Sequence, residues 1–457
     1  MAQPRTVDIA EIVETQEKGW FPLSIFLMCC LVMLVDGFNQ QSLNYAAPAI
    51  IEDLGISPPL MTGLVADINI FGWMLGAVGF SMLADHIGRR KSILLAVFIF
   101  SIFTIALSYT TDVVSLSIVR FISALGIGGG MPMAISLVAD YAQSKTRGLK
   151  VTLLYLGYTG GSSGGGFLAA ALLRAGYGWQ SIFYVGGIAS LIIGVVLFFA
   201  LPESVRYLVL KKGSKERILS YVRKLKPDTH FEPDTEFFIQ ETSKKGVPVK
   251  HLFTEGRAAM TIFLWLALGF SFVTHFFLSA SLTTLLSKYT TLMSIPNAAM
   301  TSALFQAGAG FAFFVGYLLD KRGISAITWI LLLGAIPTAA LGLITGESTI
   351  TAMALALACG IPVLGGGIGL NALSSMIYPT FIRSTGTGSA FAAARIGALM
   401  GPAIAGYLMY LHIPLQMIFL VAALPMLAAG ATAFILERSM TPDAVREMAS
   451  KSALARH

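Results

Sequence analysis

The chain has 457 residues, of which 55% are hydrophobic and only 12% charged, whereas soluble proteins carry about 25% charged residues. With a mean hydropathy of +0.75, this composition excludes a soluble enzyme, a nucleic-acid binder and a disordered chain. The net charge of +7 therefore has to be placed along the chain before it says anything about partners. Cys29, Cys30 and Cys359 all fall in apolar stretches. Three such residues make no disulfide framework and no metal-ligand spacing, and no metal or other cofactor is expected. Residues 1–19 are polar and mixed in charge, unlike a cleaved signal peptide.

Apolar runs of about 20 residues, the length that crosses a bilayer, recur along the chain. They fall at 21–47, 61–83, 92–109, 114–140, 151–173 and 181–201, and again at 258–286, 298–319, 326–344, 349–377, 385–410 and 415–436. The fold class expected is an all-α membrane protein of twelve spans in two six-helix halves. A membrane barrel would alternate polar and apolar residues instead. The expected divisions are a tail at 1–20, a bundle at 21–202, a polar loop at 203–257, a second bundle at 258–437 and a tail at 438–457. The polar loop holds 12 Lys/Arg and 8 Asp/Glu. Within it Ile218, Tyr221, Val222 and Leu225 recur at helical spacing, which predicts a surface helix over 211–226. That helix either rests in a solvated linker or binds anionic lipid.

Of the 31 basic residues, Arg174 and Lys288 fall in one set of loops, and Arg120 and Arg395 fall within spans. The other 27 lie in the opposite set of loops and in the tails. The positive-inside rule then puts both termini and the polar loop in the cytoplasm of an inner-membrane, multi-pass protein.

The loop after span two reads Asp85-His86-Ile87-Gly88-Arg89-Arg90-Lys91, and the loop after span eight reads Asp320-Lys321-Arg322-Gly323. Two such loops at equivalent places indicate a duplicated transporter architecture. A carboxylate at a helix end can pair with basic residues or cap a neighbouring helix. Asp85, Gly88, Arg89, Arg90 and Asp140, with Asp320, Lys321 and Arg322 in the second half, are therefore assigned to an inner gate.

This pattern resembles the major facilitator superfamily, whose hallmark is a G-x-L-x-D-x-x-G-R-[RK] loop. Arg120-Phe-Ile-Ser-Ala-Leu-Gly126-Ile-Gly128-Gly129-Gly130 is similar to its fourth-helix motif, and Pro202-Glu203-Ser204-Val205-Arg206 to its P-E-S-x-R signature. A narrower likeness covers nearly the whole chain. Asp36-Gly37-Phe38, Tyr45-Ala-Ala-Pro48, and the run from Tyr378-Pro379-Thr380 through Arg383, Thr385, Gly386 and Gly388 to Arg395, Gly397, Gly401, Pro402 and Gly406 resemble the aromatic acid:proton symporter family. The resemblance implies proton-coupled uptake of benzoate-type carboxylates, with related diacids such as muconate carried by a few members. Two positions depart from the family pattern. Asn39 stands where the first-helix motif D-G-[FY]-D has its second aspartate, and Ser281-Leu282-Thr283-Thr284 stands where W-L-P-T is common.

Ionisable groups within a span cost roughly 2.5–3.5 kcal/mol each on insertion scales and are functional candidates by default. Arg395 lies about ten residues into span eleven. Its guanidinium fork matches a carboxylate, so it either binds substrate or sits in a permanent ion pair. Asp36, Asn39 and Gln40 share one helical face, which is expected to line the cavity. An amide carries no proton, so Asp67, at similar depth in span two, is a candidate to supply the carboxylate absent at Asn39. Desolvation disfavours the charged form of a carboxylate without a partner, which lets such a group load a proton outside and release it inside. Asp36, Asp67 and Arg120 are the coupling candidates. Arg395, Asn39, Gln40 and His275, the last beside Phe272, Phe276 and Phe277, are the substrate candidates. Arg120 either pairs with an acid of the first half or meets substrate.

The expected partners are a small organic anion, protons and the lipid bilayer, with no nucleic acid and a monomeric working unit. An aliphatic diacid, or efflux instead of uptake, stays open on the same fold. Enzyme chemistry is not expected, since none of the six histidines sits in an H-E-x-x-H array.

Overall fold

The computed structural model describes residues 6–16, 19–211, 213–227, 229, 231, 235–239, 249–290, 293–344, 348–378 and 382–440. The side chains of Asp320, Ile344, Ser375, Arg383 and Ser384 lie outside that description, as do Pro379 to Phe381 of the expected motif.

Among the described residues, twelve long helical segments follow in chain order. In the first half they are α1 (Trp20–Leu54), α2 (Pro58–Ile87), α3 (Arg89–Leu107), α4 (Val113–Asp140), α5 (Ser144–Arg174) and α6 (Gln180–Ala200). In the second half they are α7 (Ala258–Lys288), α8 (Ile295–Ala307, continued by a 3-10 turn into Ala312–Arg322), α9 (Ile324–Ile344), α10 (Thr349–Ile377), α11 (Arg383–Tyr410) and α12 (Leu415–Arg438). Eleven of them are long and apolar enough to cross a membrane. The exception is α5. It is 31 residues long, but Lys145, Arg147, Lys150 and a run rich in glycine and serine dilute its hydropathy. Small residues instead let its backbone pack tightly on its neighbours. A Cβ at Gly161 would run into the carbonyl of Leu34 on α1.

The ends of the helices are written locally. Gly55, in the left-handed region at φ 63°, closes α1. Asp112 caps α4 by accepting from the amides of Val114 (2.8 Å) and Ser115 (3.0 Å). Ser204 caps the short helix Val205–Leu210 after α6, accepting from Tyr207 N at 3.2 Å.

The duplication is visible in the packing. The first half pairs α1 with α4, α5 and α6, α2 with α4, and α3 with α4 and α6. The second half repeats all six pairings one half later: α7 with α10, α11 and α12, α8 with α10, and α9 with α10 and α12. Between the halves, α5 packs on α8, the start of α2 on the end of α11, and α1 on α7. Among the described residues three polar contacts join the halves: Ser163 Oγ to Ala303 O at 3.0 Å, Arg174 to Asn297 Oδ1 at 3.0 Å, and the Lys288–Glu52 ion pair. Gly63 and Gly406 face each other where α2 meets α11. The last two polar contacts and the Gly63–Gly406 approach lie at the end away from both termini, so the halves are drawn together there.

At the terminal end a small layer covers the first half. The strand Thr6–Asp8 pairs in parallel with Glu236–Phe238, Val7 opposite Phe237. The helix Ile9–Glu14 follows, and a helix at Lys215–Leu225 realises the one expected at 211–226. Its Ile218, Val222 and Leu225 are buried with Ile9, Ile12 and Val13. The apolar face of this helix thus packs with the amino-terminal segment. Glu14 fastens this layer by accepting from the Ser144 amide at 2.8 and 3.0 Å, at the first turn of α5, where a carboxylate also suits the helix dipole.

Candidate functional site

Midway along α1, Asp36 is buried, and neither carboxylate oxygen has a hydrogen-bond partner among the described residues. The space in front of it is kept by Gly130 of α4, where an added Cβ would stand 3.5 Å from Asp36 Oδ1. The other α4 glycines have packing roles. A Cβ at Gly128 would strike the Trp73 carbonyl of α2, and one at Gly129 would strike the Phe80 ring. The glycine-rich motif read from the sequence therefore does two things: it seats α2 on α4, and it leaves Asp36 uncrowded.

The three candidate residues of α1, Asp36, Asn39 and Gln40, do not share one environment. Asn39 is fully buried and turned toward α6, its amide donating to Val35 O at 2.7 Å and to Ser190 Oγ at 2.8 Å. Gln40 is buried beside it. Arg120 is also fully buried, and Nη2 donates to Asn39 O at 2.9 Å and Gln40 O at 3.2 Å. The partners found for it are backbone carbonyls of α1, not a carboxylate. Asp67 is partly buried, and its Oδ1 has no hydrogen-bond partner among the described residues. No hydrogen bond joins Asp67 to Asn39 among the described residues.

Arg395 on α11 is half-buried, and its Cζ lies 3.5 Å from the centre of the Trp73 ring. Nη1 has no hydrogen-bond partner among the described residues. The phenols of Tyr155 and Tyr158 on α5 lie within electrostatic reach of this guanidinium, and Tyr158 is within reach of Asp36 as well. A wall of rings adjoins the arginine. Trp73 is 6.2 Å from Phe276, which in turn is 5.9 Å from Phe272 and 4.7 Å from His275. Ile70 and Ala398 complete this apolar patch. One cation and an aromatic wall thus meet at mid-depth, contributed by both halves, with Tyr158 linking the cation to the Asp36 carboxylate. Such a site can hold a small planar anion by charge and ring contact.

Trp73, Tyr155 and Tyr158 were not singled out from the sequence. A signal existed for the first, since tryptophan in membrane proteins favours the interfaces and Trp73 lies mid-span. Gly160-Gly161-Ser162-Ser163-Gly164 also spells a G-x-S-x-G pattern. It is not a nucleophile elbow, which needs a strand-to-helix turn. The run sits inside continuous helix α5, with Ser162 Oγ bonded to Thr159 O at 3.0 Å. Among the described residues, no cluster of three His, Cys, Asp or Glu could hold a metal ion.

The residues assigned to the gate meet at the terminal end of the first half. Arg89 lies 3.6 Å from both Asp85 and Asp140. Asp140 also accepts from Ser204 Oγ at 2.6 Å, and buried Glu203 accepts from Arg90 N at 3.1 Å and Ser204 N at 2.9 Å. Gly88, at φ 97°, lets the loop pass close to Glu203. The loop motif and the Pro202–Ser204 signature are therefore parts of one brace joining α2, α3, α4 and α6. The pair with exposed Asp85 contributes about 0–1 kcal/mol, so the brace holds through the more buried Asp140 and Glu203 bonds together. In the second half Gly323 repeats the turn at φ 66°, Ser325 Oγ donates to Glu437 at 2.6 Å, and Lys321 and Arg322 are exposed.

A sequence profile described as the Major Facilitator Superfamily matches residues 29–382. The chain is 30% identical over 427 residues to a gallate transporter of Pseudomonas putida, covering 93% of this chain and 94% of that protein. It is 30% identical over 442 residues to the 4-hydroxybenzoate transporter PcaK of Pseudomonas aeruginosa, covering 96% and 97%. Among solved structures, a bacterial homologue of the human lysosomal transporter Spinster, inward-facing and unoccupied, superposes with a TM-score of 0.71. That likeness is at 17% identity and covers 93% of this chain and 98% of the other.

Proposed function

Since the chain belongs to the Major Facilitator Superfamily, we propose that it is a secondary active transporter importing a small aromatic carboxylate, of benzoate or hydroxybenzoate type, together with protons. The observation that carries this reading is Arg395 set against the Trp73 ring, which continues through Phe276 to Phe272 and His275. The relatives named for gallate and 4-hydroxybenzoate transport support the substrate class.

In this reading the protein lies in the inner membrane as a monomer, with both termini and the polar loop in the cytoplasm. The end at which the halves meet is then the outer one, and the cavity faces inward. The substrate carboxylate takes the guanidinium edge of Arg395, and its ring lies along the aromatic wall. Asp36 loads a proton when the site faces outward and releases it inward. Tyr158, within reach of both groups, relays the state of one to the other. Arg120 fixes the middle of α1 through its carbonyls, so a proton on Asp36 is felt by a held helix. The Asp85–Arg89–Asp140 brace keeps the cytoplasmic ends of the first half together while that half rocks against the second. Asp67 is a second proton acceptor nearer the outer end.

The test is uptake of labelled benzoate-type acids into proteoliposomes under an imposed pH gradient, with wild type beside Arg395→Ala and Asp36→Asn. Gradient-driven accumulation by wild type, lost in both variants, is the expected result. Saturable uptake of an aliphatic diacid with none of any aromatic acid would overturn the substrate class.

A further inference from the structure

The position of Trp73 relative to Arg395 carries more than the presence of a cation in a span. Trp73 belongs to the first half and Arg395 to the second, so their contact crosses the interface that must move during transport. At 3.5 Å from the ring centre the guanidinium carbon is in van der Waals contact with the ring face. The indole thus covers a face of the cation, while Nη1, without a hydrogen-bond partner among the described residues, leaves an N–H at its edge. A carboxylate bound bidentate lies in the plane of the guanidinium. A carboxylate conjugated to a benzene ring keeps that ring in the same plane. The plane that Trp73 imposes on Arg395 therefore becomes the plane of the substrate ring. Trp73 is itself held: its backbone is seated against Gly128 of α4, and its ring adjoins Phe276 of α7.

We propose that Trp73 is the positioning residue that makes this site prefer planar aromatic carboxylates, by fixing the orientation of the Arg395 guanidinium through a stacked contact across the two halves. The inference rests on the aromatic-acid reading above. In a saturated-ring acid or an aliphatic diacid the carboxylate is not conjugated to the rest of the molecule, so a fixed guanidinium plane orients the carboxylate but not the remainder of the substrate. Discrimination between an aromatic acid and its ring-saturated counterpart is then the property that Trp73 controls.

The experiment uses the full-length protein in proteoliposomes. Uptake of a labelled benzoate-type acid that wild type accepts is competed with unlabelled acid and with its ring-saturated analogue. Wild type is compared with Trp73→Phe and Trp73→Leu. In Trp73→Leu, KM for the aromatic acid should rise roughly tenfold, the loss of one stacked contact, with a smaller change in maximal rate, and the inhibition constant of the saturated analogue should rise clearly less, so that the preference narrows. Trp73→Phe, which keeps a ring, should recover most of the preference. An unchanged preference in Trp73→Leu would overturn the role of Trp73, as would an equal loss for both acids that phenylalanine does not rescue. Failure of wild type to take up any aromatic acid would instead sink the transport reading on which the inference stands.

Discussion

Substituting Arg395 by lysine or alanine separates charge from geometry at the centre of the site. The guanidinium is half-buried, meets the Trp73 face at 3.5 Å and has an edge nitrogen without a partner among the described residues. A bidentate carboxylate would make two charge-assisted bonds there, each contributing about 1.5–3 kcal/mol. Alanine forfeits both, about 3–6 kcal/mol, or roughly two to four decades in substrate affinity. Lysine keeps the charge and one bond but loses the fork, so its deficit is roughly one to two decades. The assay is the initial rate of uptake against substrate concentration in proteoliposomes, with protein per vesicle held equal. Thermal stability in detergent serves as the control and should fall by no more than the Trp73 contact supplies, about 0.5–2 kcal/mol, because no salt bridge of Arg395 is seen among the described residues. Alanine within threefold of wild type would refute the assignment. Lysine equal to arginine would refute the bidentate geometry alone.

Three further outcomes follow from the structure. Asp36→Asn should abolish uptake driven by a pH gradient but spare exchange of internal for external substrate; if exchange disappears too, Asp36 does more than carry the proton. Gly128→Ala places a methyl against the Trp73 carbonyl and should lower stability by about 1–3 kcal/mol, read from the thermal midpoint, whereas Gly130→Ala meets Asp36 only at 3.5 Å and should leave the midpoint near wild type. Hydrogen bonding from Ser144 holds the Glu14 carboxyl below the usual carboxylate range. A depressed value means that the clasp is complete at neutral pH and is lost as pH falls through that lowered value. Hydrogen exchange in residues 6–14 should therefore be slow at neutral pH, rise in acid, and in Glu14→Gln be fast already at neutral pH.

The helices were legible in the sequence because a bilayer imposes long apolar runs. The duplication was legible because the loops at Asp85 and Asp320 repeat. Their equivalence extends to six matched helix pairings that no loop motif encodes. Two features escaped for the same physical reason. Helical spacing puts Asp36, Asn39 and Gln40 on one side of α1, but it cannot say which neighbour each one meets. Asp36 turned out to face Gly130 of α4, and Asn39 to bond Ser190 of α6. Trp73, Tyr155 and Tyr158 look like ordinary aromatic residues of apolar spans until the fold brings α2, α5 and α11 together. The pairing of residues 6–8 with 236–238 was hidden as well, since a three-residue strand has too few positions to show a period. The α5 helix misleads in the other direction: its glycines and serines lower its hydropathy, yet they are what allow it to pack along both α1 and α8.

Coupling of a proton to an aromatic acid is the central claim, and proton movement tests it directly. Proteoliposomes carrying an internal pH dye, with no imposed gradient and with potential clamped, are given an external benzoate-type acid at a pH where the free acid is almost fully ionised. The account expects internal acidification that starts with substrate addition, saturates with its concentration and is absent in Asp36→Asn. Substrate entry with no pH change, or with internal alkalinisation, would contradict it.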